Sequence, residues 1–569
     1  MSNNPRLFLW LALALAIWLN YEAWVRDYGA SSPQAGGATT EQAPARGKES
    51  SGLDAAIPQA SSGSASAPDA GVPATATPAP ASQPEATVAA TPRTVRVRTD
   101  VLDLDIGLAG GELQRADLLK YPKVKGQSEP VRLLNRDAPE TLYVLQSGLT
   151  GPAGSERPTH LATFTSPQTE YSLGNADELR VPLTWRNDQG VTVTKTFVFR
   201  RGQYDIDLEY DVKNAGQQPW QAAAYAQVLR SDPKADYSMF NVESYAFRGP
   251  AIWDGERYRK LDIEDKDDRQ LALEVNNGWI AALQHHFVGA VVPPKDVTHR
   301  VTLGAEGREY VLATAGPLRT VAPGGAEKFR YRLFVGPKLQ EQLAATGPEL
   351  ERVADYGRLT MLAKPLFLVL DKIHDVIGNW GLAIIIVTLL LKLAFYPLSE
   401  ASGRSMAKMK TLAPRIKNLQ ETYKDDREKL GRAMMELYQR EKINPVAGCL
   451  PIVVQIPVFL AFYWVLLESV EMRQAPFMGW INDLSSRDPF FILPAIMAGA
   501  MFVQYKLNPQ PPDPVQQKVF MIMPIAMSVM FAFFPAGLVL YWVTNTVLSI
   551  AQQWNINRRI ERAAAAKRS

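Results

Sequence analysis

The apolar and polar positions of this 569-residue chain change their rhythm several times, and each rhythm predicts a different kind of structure. After Arg6 comes an unbroken apolar core, Leu7 to Leu19. It is short for a membrane span, which needs about 20 residues, and it extends to Val25 if Asn20, Tyr21 and Glu22 sit at headgroup level. A cleaved signal peptide is the competing reading. No A-x-A site comes after it, however, but bulky Tyr21, Trp24 and Val25, which favours an uncleaved anchor over residues 1–27. Either way, the chain beyond this segment leaves the cytoplasm. Residues 28–93 are rich in Ala, Ser, Pro, Gly and Thr and lack the branched and aromatic residues of a core, so a disordered linker is expected.

From Thr94 the chain alternates with period two: TVRVRTDVLDLDI, GVTVTKTFVFR (190–200), QYDIDLEYDVKN (203–214) and EKFRYRLFVGPK (327–338). Turn residues fall between these runs. The pattern predicts an antiparallel β-sandwich domain with one face of each strand buried, over residues 94–345. Within 349–377 the period becomes helical: Leu350, Val353, Leu359, Leu362, Leu366, Phe367, Leu370, Ile373 and Ile377 recur at three- and four-residue spacing among charges. The region 346–378 reads either as amphipathic helix on a membrane surface or as helix packed on the β domain.

Five apolar segments come next, at about 380–398, 450–467, 490–507, 519–534 and 537–552, several of them short and proline-bearing. They predict an α-helical five-span membrane core over 379–569, so the whole is a multi-domain membrane protein. The loop 399–444 carries eleven Lys and Arg residues, and the tail 553–569 adds Arg558, Arg559, Arg562, Lys567 and Arg568. The loop 468–489 has Arg473 and Arg487 alone. The positive-inside rule then places both termini in the cytoplasm and the β domain outside it.

Loop 399–444 has two apolar stripes, Met406–Met409–Leu412–Ile416–Leu419–Tyr423 and Leu430–Met434–Leu437–Tyr438, with KDDR (424–427) between them as a turn. That is a helical hairpin closed by its apolar seam. Its outer face and the tail read either as solvated charge or as docking surface for lipid headgroups, ribosomal RNA or acidic protein. The candidate docking residues are Lys408, Lys410, Arg415, Lys417, Arg558 and Arg559.

Composition narrows the chemistry. Net charge is +3, so any basic character is local. Cys449 is the single cysteine, which rules out an intrachain disulfide. The histidines, His160, His285, His286, His299 and His374, lack metal-site spacing, and no nucleophile elbow or phosphate loop occurs. No cofactor, metal or covalent catalysis is expected. The conspicuous residue is Lys392, inside VTLLLKLAFYPL. A charge at mid-bilayer costs roughly 2.5–3.5 kcal/mol on insertion scales, so this lysine either snorkels to water or has a task where it sits.

Four blocks, GNWGLAIIIVTLLLKLAFYPL, SMAKMKTLAPRIKNLQE, NPVAGCLPIVVQIPVFLAFYWVLLESVEMRQAPF and FPAGLVLYWVTNTVLSIAQQ, together resemble the YidC/Oxa/Alb family of membrane protein insertases, in its Gram-negative form. The resemblance implies insertion and folding of inner-membrane proteins, alone or beside the Sec translocon. It also implies a hydrophilic groove in the core, open to cytoplasm and lipid, with one positive charge facing it. Lys392 stands at that charge's position, where many relatives have arginine. Thr388, Gln455, Tyr541, Trp542 and Asn545 are the matching groove candidates, with interhelical hydrogen bonding the alternative for Thr388 and Asn545 and plain packing for Tyr541 and Trp542. The implied partners are newly made inner-membrane proteins, the Sec translocon and its accessory subunits, the ribosome and anionic phospholipids, and a monomer is compatible with all of them. Two other classes remain open: a transporter or channel, which would need several intramembrane charges and repeated halves, and an envelope scaffold binding through its β domain. An envelope enzyme would need a constellation that the sequence lacks.

Overall fold

The computed structural model describes residues 52–61, 94–152, 156–232, 246–423, 426–441, 450–507 and 514–566. The anchor expected at 1–27, most of the linker, Cys449 and the last three residues of the tail lie outside them.

The alternating segments form two sheets, one of eleven strands and one of eight, nearly all antiparallel. Their inner faces share one apolar core that includes Val193, Phe197, Leu208, Tyr210, Trp279 and Phe334. Asp205–Asn214 shows the rule: its residues alternate between half-buried and buried along most of the strand, as a strand with one solvated face must. TVRVRTDVLDLDI is a hairpin rather than one strand, with Thr94–Arg98 paired to Leu102–Gly107. Its turn is held by the Thr99 hydroxyl, which accepts from the backbone N–H of Leu102 at 2.9 Å.

Within the stretch expected to be a free linker, residues 52–61 lie against the larger sheet. Gly52–Ala55 forms one 3-10 turn, and Ser61 makes a parallel bridge with Pro317.

After the sandwich come a short helix α1 (Gln340–Thr346) and then α2 (Thr360–Ile377). α2 buries Ala363, Phe367 and Leu370 in the helical core, not on the sandwich. Its other side leaves Met361, Leu368, Val369 and Val376 exposed. The remaining helices are α3 (Trp380–Ala394), α4 (Tyr396–Thr422), α5 (Arg427–Arg440), α6 (Leu450–Glu468), α7 (Ile492–Leu507), α8 (Pro514–Phe531) and α9 (Ala536–Ala566).

The segment expected to span as 380–398 is not one helix. α3 ends at Ala394, and α4 departs from it at 61°. Pro397 is the cause: it has no N–H for the Leu393 carbonyl and its ring clashes with that carbonyl, so it cannot continue α3, but it fits the first turn of a new helix. Among the described residues no single helix is both long and apolar enough to cross a bilayer, although the bent pair α3–α4 is. The basic tail is not separate from the last apolar segment, because α9 runs through both. α4 and α5 form the hairpin, with Leu412 and Ile416 buried against Met409, Met434, Leu437 and Tyr438. Asp426 caps α5 by accepting from the Lys429 N–H, so Arg427 lies in the helix and not in the turn.

The loop after α6 joins the helices to the sandwich. Arg473 Nη2 donates to Pro122 O (2.9 Å) and Lys125 Nζ to Gln474 O (2.7 Å), while His285 Nε2 lies 3.0 Å from Leu467 O. His285 and His286 stack at 3.8 Å. Burial, reinforced by the Lys338 ammonium, pulls His285 down to about 3, so it packs as a neutral ring.

Candidate functional site

Each core helix contributes apolar residues at most positions, so polar ones among them stand out, and the fold gathers them. Thr388 and Lys392 lie one turn apart on α3, Gln455 lies on α6, and Tyr541 and Asn545 lie one turn apart on α9. All five line one cavity, with Leu391, Val454 and Val458 between them and Phe395, Leu398 and Ser399 of the α3–α4 elbow at one end. Its volume is about 20 Å³, room for one water molecule.

A hydrogen-bonded chain crosses it. Gln455 Nε2 donates to Asn545 Oδ1 at 2.5 Å. The Asn545 carbonyl accepts from Ser549 Oγ at 2.7 Å, and that same Oγ accepts from Lys392 Nζ at 2.8 Å. Ser549 uses its one proton on its own helix and offers a lone pair to the lysine. The Lys392 ammonium therefore points inward to α9. Thr388, fully buried, donates to Ile384 O at 2.7 Å, so its proton is committed to α3.

The cavity is closed towards α2. There Tyr541, 1% exposed, stacks on Phe462 at 4.5 Å, and Ile384, Val387, Ala461 and Val465 fill the space behind. α2 packs against both α3 and α6, and α9 also packs against both. Trp542, adjacent in sequence to Tyr541, does not line the cavity: its ring meets Phe459 edge-on at 4.7 Å and Phe531 at 5.1 Å. Successive helical residues are about 100° apart around the axis, so one neighbour faces the cavity and the other faces α8.

The sequence signal that could have found Ser549 is the continuation of the Tyr541–Asn545 stripe by one more turn. Among the described residues, no cluster of three or more His, Cys, Asp or Glu residues could hold a metal ion.

The docking candidates are spread along α4 and α9. Lys408 and Lys410 lie on α4, their side chains outside the described residues. Arg415 pairs with Glu441 at 2.7 Å, and Lys417 is exposed. Arg558 stacks over Trp554 at 3.7 Å, and Arg559 is exposed. Several hairpin cations are paired locally, among them Arg404 with Glu400 and Arg432 with Glu428. Exposed pairs of this kind are worth about 0–1 kcal/mol, so an anionic partner can displace them.

A family model described as the 60Kd inner membrane protein matches residues 372–563, and one described as the YidC periplasmic domain matches residues 94–369. The chain is 47% identical over 575 aligned residues to the membrane protein insertase YidC of Thioalkalivibrio sulfidiphilus, covering 99% of each. It is 44% identical to the namesake from Nitrosococcus oceani, over 98% of this chain and 99% of that one. A solved structure of an active YidC insertase with its first transmembrane domain resolved is 18% identical and covers 81% of this chain and 92% of that one, with a TM-score of 0.36.

Proposed function

This chain belongs to the YidC family of membrane protein insertases, an inner-membrane family with a periplasmic domain, and we propose that the cavity between α3, α6 and α9 is its route for clients. The chain is a membrane protein insertase, and its substrates are membrane proteins. The cavity is the closed form of a hydrophilic groove. It opens at the elbow end to the cytoplasm and is sealed at the α2 end, which faces the periplasm. The β domain lies in the periplasm, and the hairpin and the end of α9 lie in the cytoplasm. The observation that carries this reading is the inward Lys392 ammonium, held by Ser549.

The mechanism rests on electrostatics. A short extracytoplasmic segment of a client cannot cross hydrocarbon with its polar groups bare, because each unpaired group costs several kcal/mol. In the groove such a segment meets Lys392, Gln455 and Asn545. A client carboxylate about 4 Å from Lys392 gains roughly 4 kcal/mol at an effective dielectric near 20. The segment thus has a polar halfway station, and the hydrophobic span next to it leaves sideways into lipid. No bond is made or broken. A lysine supplies this as a point charge, without the fork of an arginine. We further infer that nascent chains arrive from ribosomes docked on the hairpin and the α9 end, that anionic lipids contact the same cations, and that the protein works both alone and with the Sec translocon, also chaperoning folding.

The test is insertion of single-span clients into vesicles holding purified protein. Two clients would be compared, one with an acidic and one with a neutral translocated tail, against wild type, Lys392→Arg and Lys392→Met. Wild type and Lys392→Arg should insert both. Lys392→Met should lose the acidic client about 30-fold or more, the rate equivalent of about 2 kcal/mol. Equal loss of both clients, with melting unchanged, would remove the charge-attraction step.

A further inference from the structure

Strand Tyr143–Thr150 is buried at every residue, on both faces. The sandwich core covers one face. The other is covered in part by residues 52–61, a segment whose composition is that of a linker. We infer that this outer face is an exchangeable binding site for a short acidic peptide of Leu-Asp type, which the chain occupies with its own residues 52–61.

The contacts are those of peptide recognition. Leu53 packs against an apolar patch made by Val144, Leu229, Val311 and Ala313. The Asp54 carboxylate receives Arg136 Nη1 and Nη2, both at 3.2 Å, and Gln146 Nε2 at 2.8 Å. The backbone carbonyls of Asp54 and Ala56 face His160 Nε2 (2.8 Å) and Gln227 Nε2 (3.2 Å). The His160 backbone N–H donates to Tyr225 Oη, whose own proton then goes to His160 Nδ1, 2.6 Å away. That leaves the proton on Nε2, aimed at the peptide carbonyl. Ser61 ends the segment, its N–H donating to Gly316 O at 3.1 Å. Leu53, Asp54 and Ser61 hold the segment while Ile57 between them is 41% exposed, so a few side chains anchor ten residues.

The charged receptor groups keep partners when the segment leaves and His160 Nε2 passes to water, which makes the site exchangeable rather than a fixed brace. Arg136 keeps buried Glu112, with Nη2 to Oε2 at 2.8 Å. Gln146 keeps Glu112 (3.1 Å) and the amide of Gln227 (2.8 Å). No buried charge is orphaned by release. Among the described residues Gln227 Oε1 has no donor even with the segment bound, so the site keeps one spare acceptor.

The probe is a labelled synthetic peptide of residues 51–62, SGLDAAIPQASS, added to the full chain in nanodiscs. A tethered ligand is present at an effective concentration of millimolar order, so wild type should bind the free peptide at least tenfold more weakly than a chain whose residues 52–61 are replaced by Gly and Ser. A milder opened form, Leu53→Gly with Asp54→Asn, should bind it as the replaced chain does. The peptide carrying Asn in place of Asp54 should bind the opened chains at least tenfold more weakly. Failure of the peptide to bind either opened chain, with melting and circular dichroism as wild type, would overturn the proposal. So would equal binding to wild type and opened chains, or equal binding of the Asn peptide.

Discussion

Ser549→Ala tests whether Lys392 is held in the groove or merely passes through it. The substitution removes one oxygen and leaves the lysine, its charge and the helix intact. In the structure the Lys392 ammonium has Ser549 Oγ at 2.8 Å, and Lys392 sits in the last turn of α3. A hydrogen bond to a charged donor is worth about 1.5–3 kcal/mol. The competing position is at the end of α3, where the terminal carbonyls attract a cation by about 0.3–1 kcal/mol. The difference, roughly 1–2 kcal/mol, keeps the ammonium inward in about five of six molecules or more. Without Ser549 the preference reverses, and the inward share falls to about 15–40%. Insertion of an acidic-tailed client should therefore slow about two- to sixfold, while a neutral-tailed client is unaffected. A direct readout is acylation of the Lys392 amine by a water-soluble reagent, followed by mass spectrometry, which should accelerate in Ser549→Ala and stay near wild type in Ser549→Thr. Unchanged acylation together with unchanged insertion would mean that the serine does not hold the lysine, and the argument for a pinned groove charge would fail.

Two further outcomes are expected. Glu471, in the loop that docks the helices on the sandwich, has a shielded Oε2 with no partner among the described residues, and burial pushes its carboxyl up to about 7. A raised acid contributes no penalty below its unfolded value and destabilises progressively as pH rises from about 4.5 to 7, so Glu471→Gln should melt close to wild type at pH 4 and be more stable by about 3 kcal/mol at pH 8; identical melting at both values would count against the buried charge. Gly381 faces Phe477, whose Cδ2 would lie 2.0 Å from an added Cβ. Gly381→Ala should therefore cost about 1–3 kcal/mol of overpacking, only partly offset by about 1 kcal/mol of helix propensity, and a melting point at or above wild type would show that the loop yields.

How much of this was legible depended on whether a residue's partner is near in sequence or whether its face is polar. Strands such as Asp205–Asn214 declare themselves because one face is wet. Phe287–Val292, buried throughout, shows no alternation and reads as a plain apolar run. Lys195 sits in an inward slot of Val191–Arg200, where its ammonium bonds Gly111 O at 2.5 Å and burial lowers it to about 7. The period marks that slot, but nothing in the strand names the carbonyls that fill it. The cavity lining was legible at Thr388, Lys392, Gln455, Tyr541 and Asn545 because polar groups among apolar helices need a reason. Trp542 misled because adjacency along a helix is not adjacency in space. Pro397 announced the elbow, yet the continuous apolar run around it suggested a single span. Segment 52–61 was illegible because its partners lie 82 residues away or more and its own composition is that of a linker.

The choice of partner for Lys392 shows how a buried ammonium can be held without losing its charge. An unpaired ammonium in a site with room for one water would be costly, so something must hold it. A carboxylate at position 549 would hold it best but would also neutralise it. A client would then have to break an ion pair before gaining anything. A serine hydroxyl holds the ammonium without cancelling its charge. Because that hydroxyl gives its own proton to Asn545 O, it accepts the lysine and competes for no other acceptor. Asn545 in turn is tied through its side chain to Gln455 on α6, so α6 and α9 close on each other through neutral groups, and α3 joins them through the Lys392 ammonium. The Gln455–Asn545 bond can be exchanged for one to another backbone or side-chain group at little net cost, since a neutral hydrogen bond contributes only about 0.5–1.5 kcal/mol. The full charge of Lys392 is meanwhile left uncancelled, which is what the proposed attraction of an acidic segment requires.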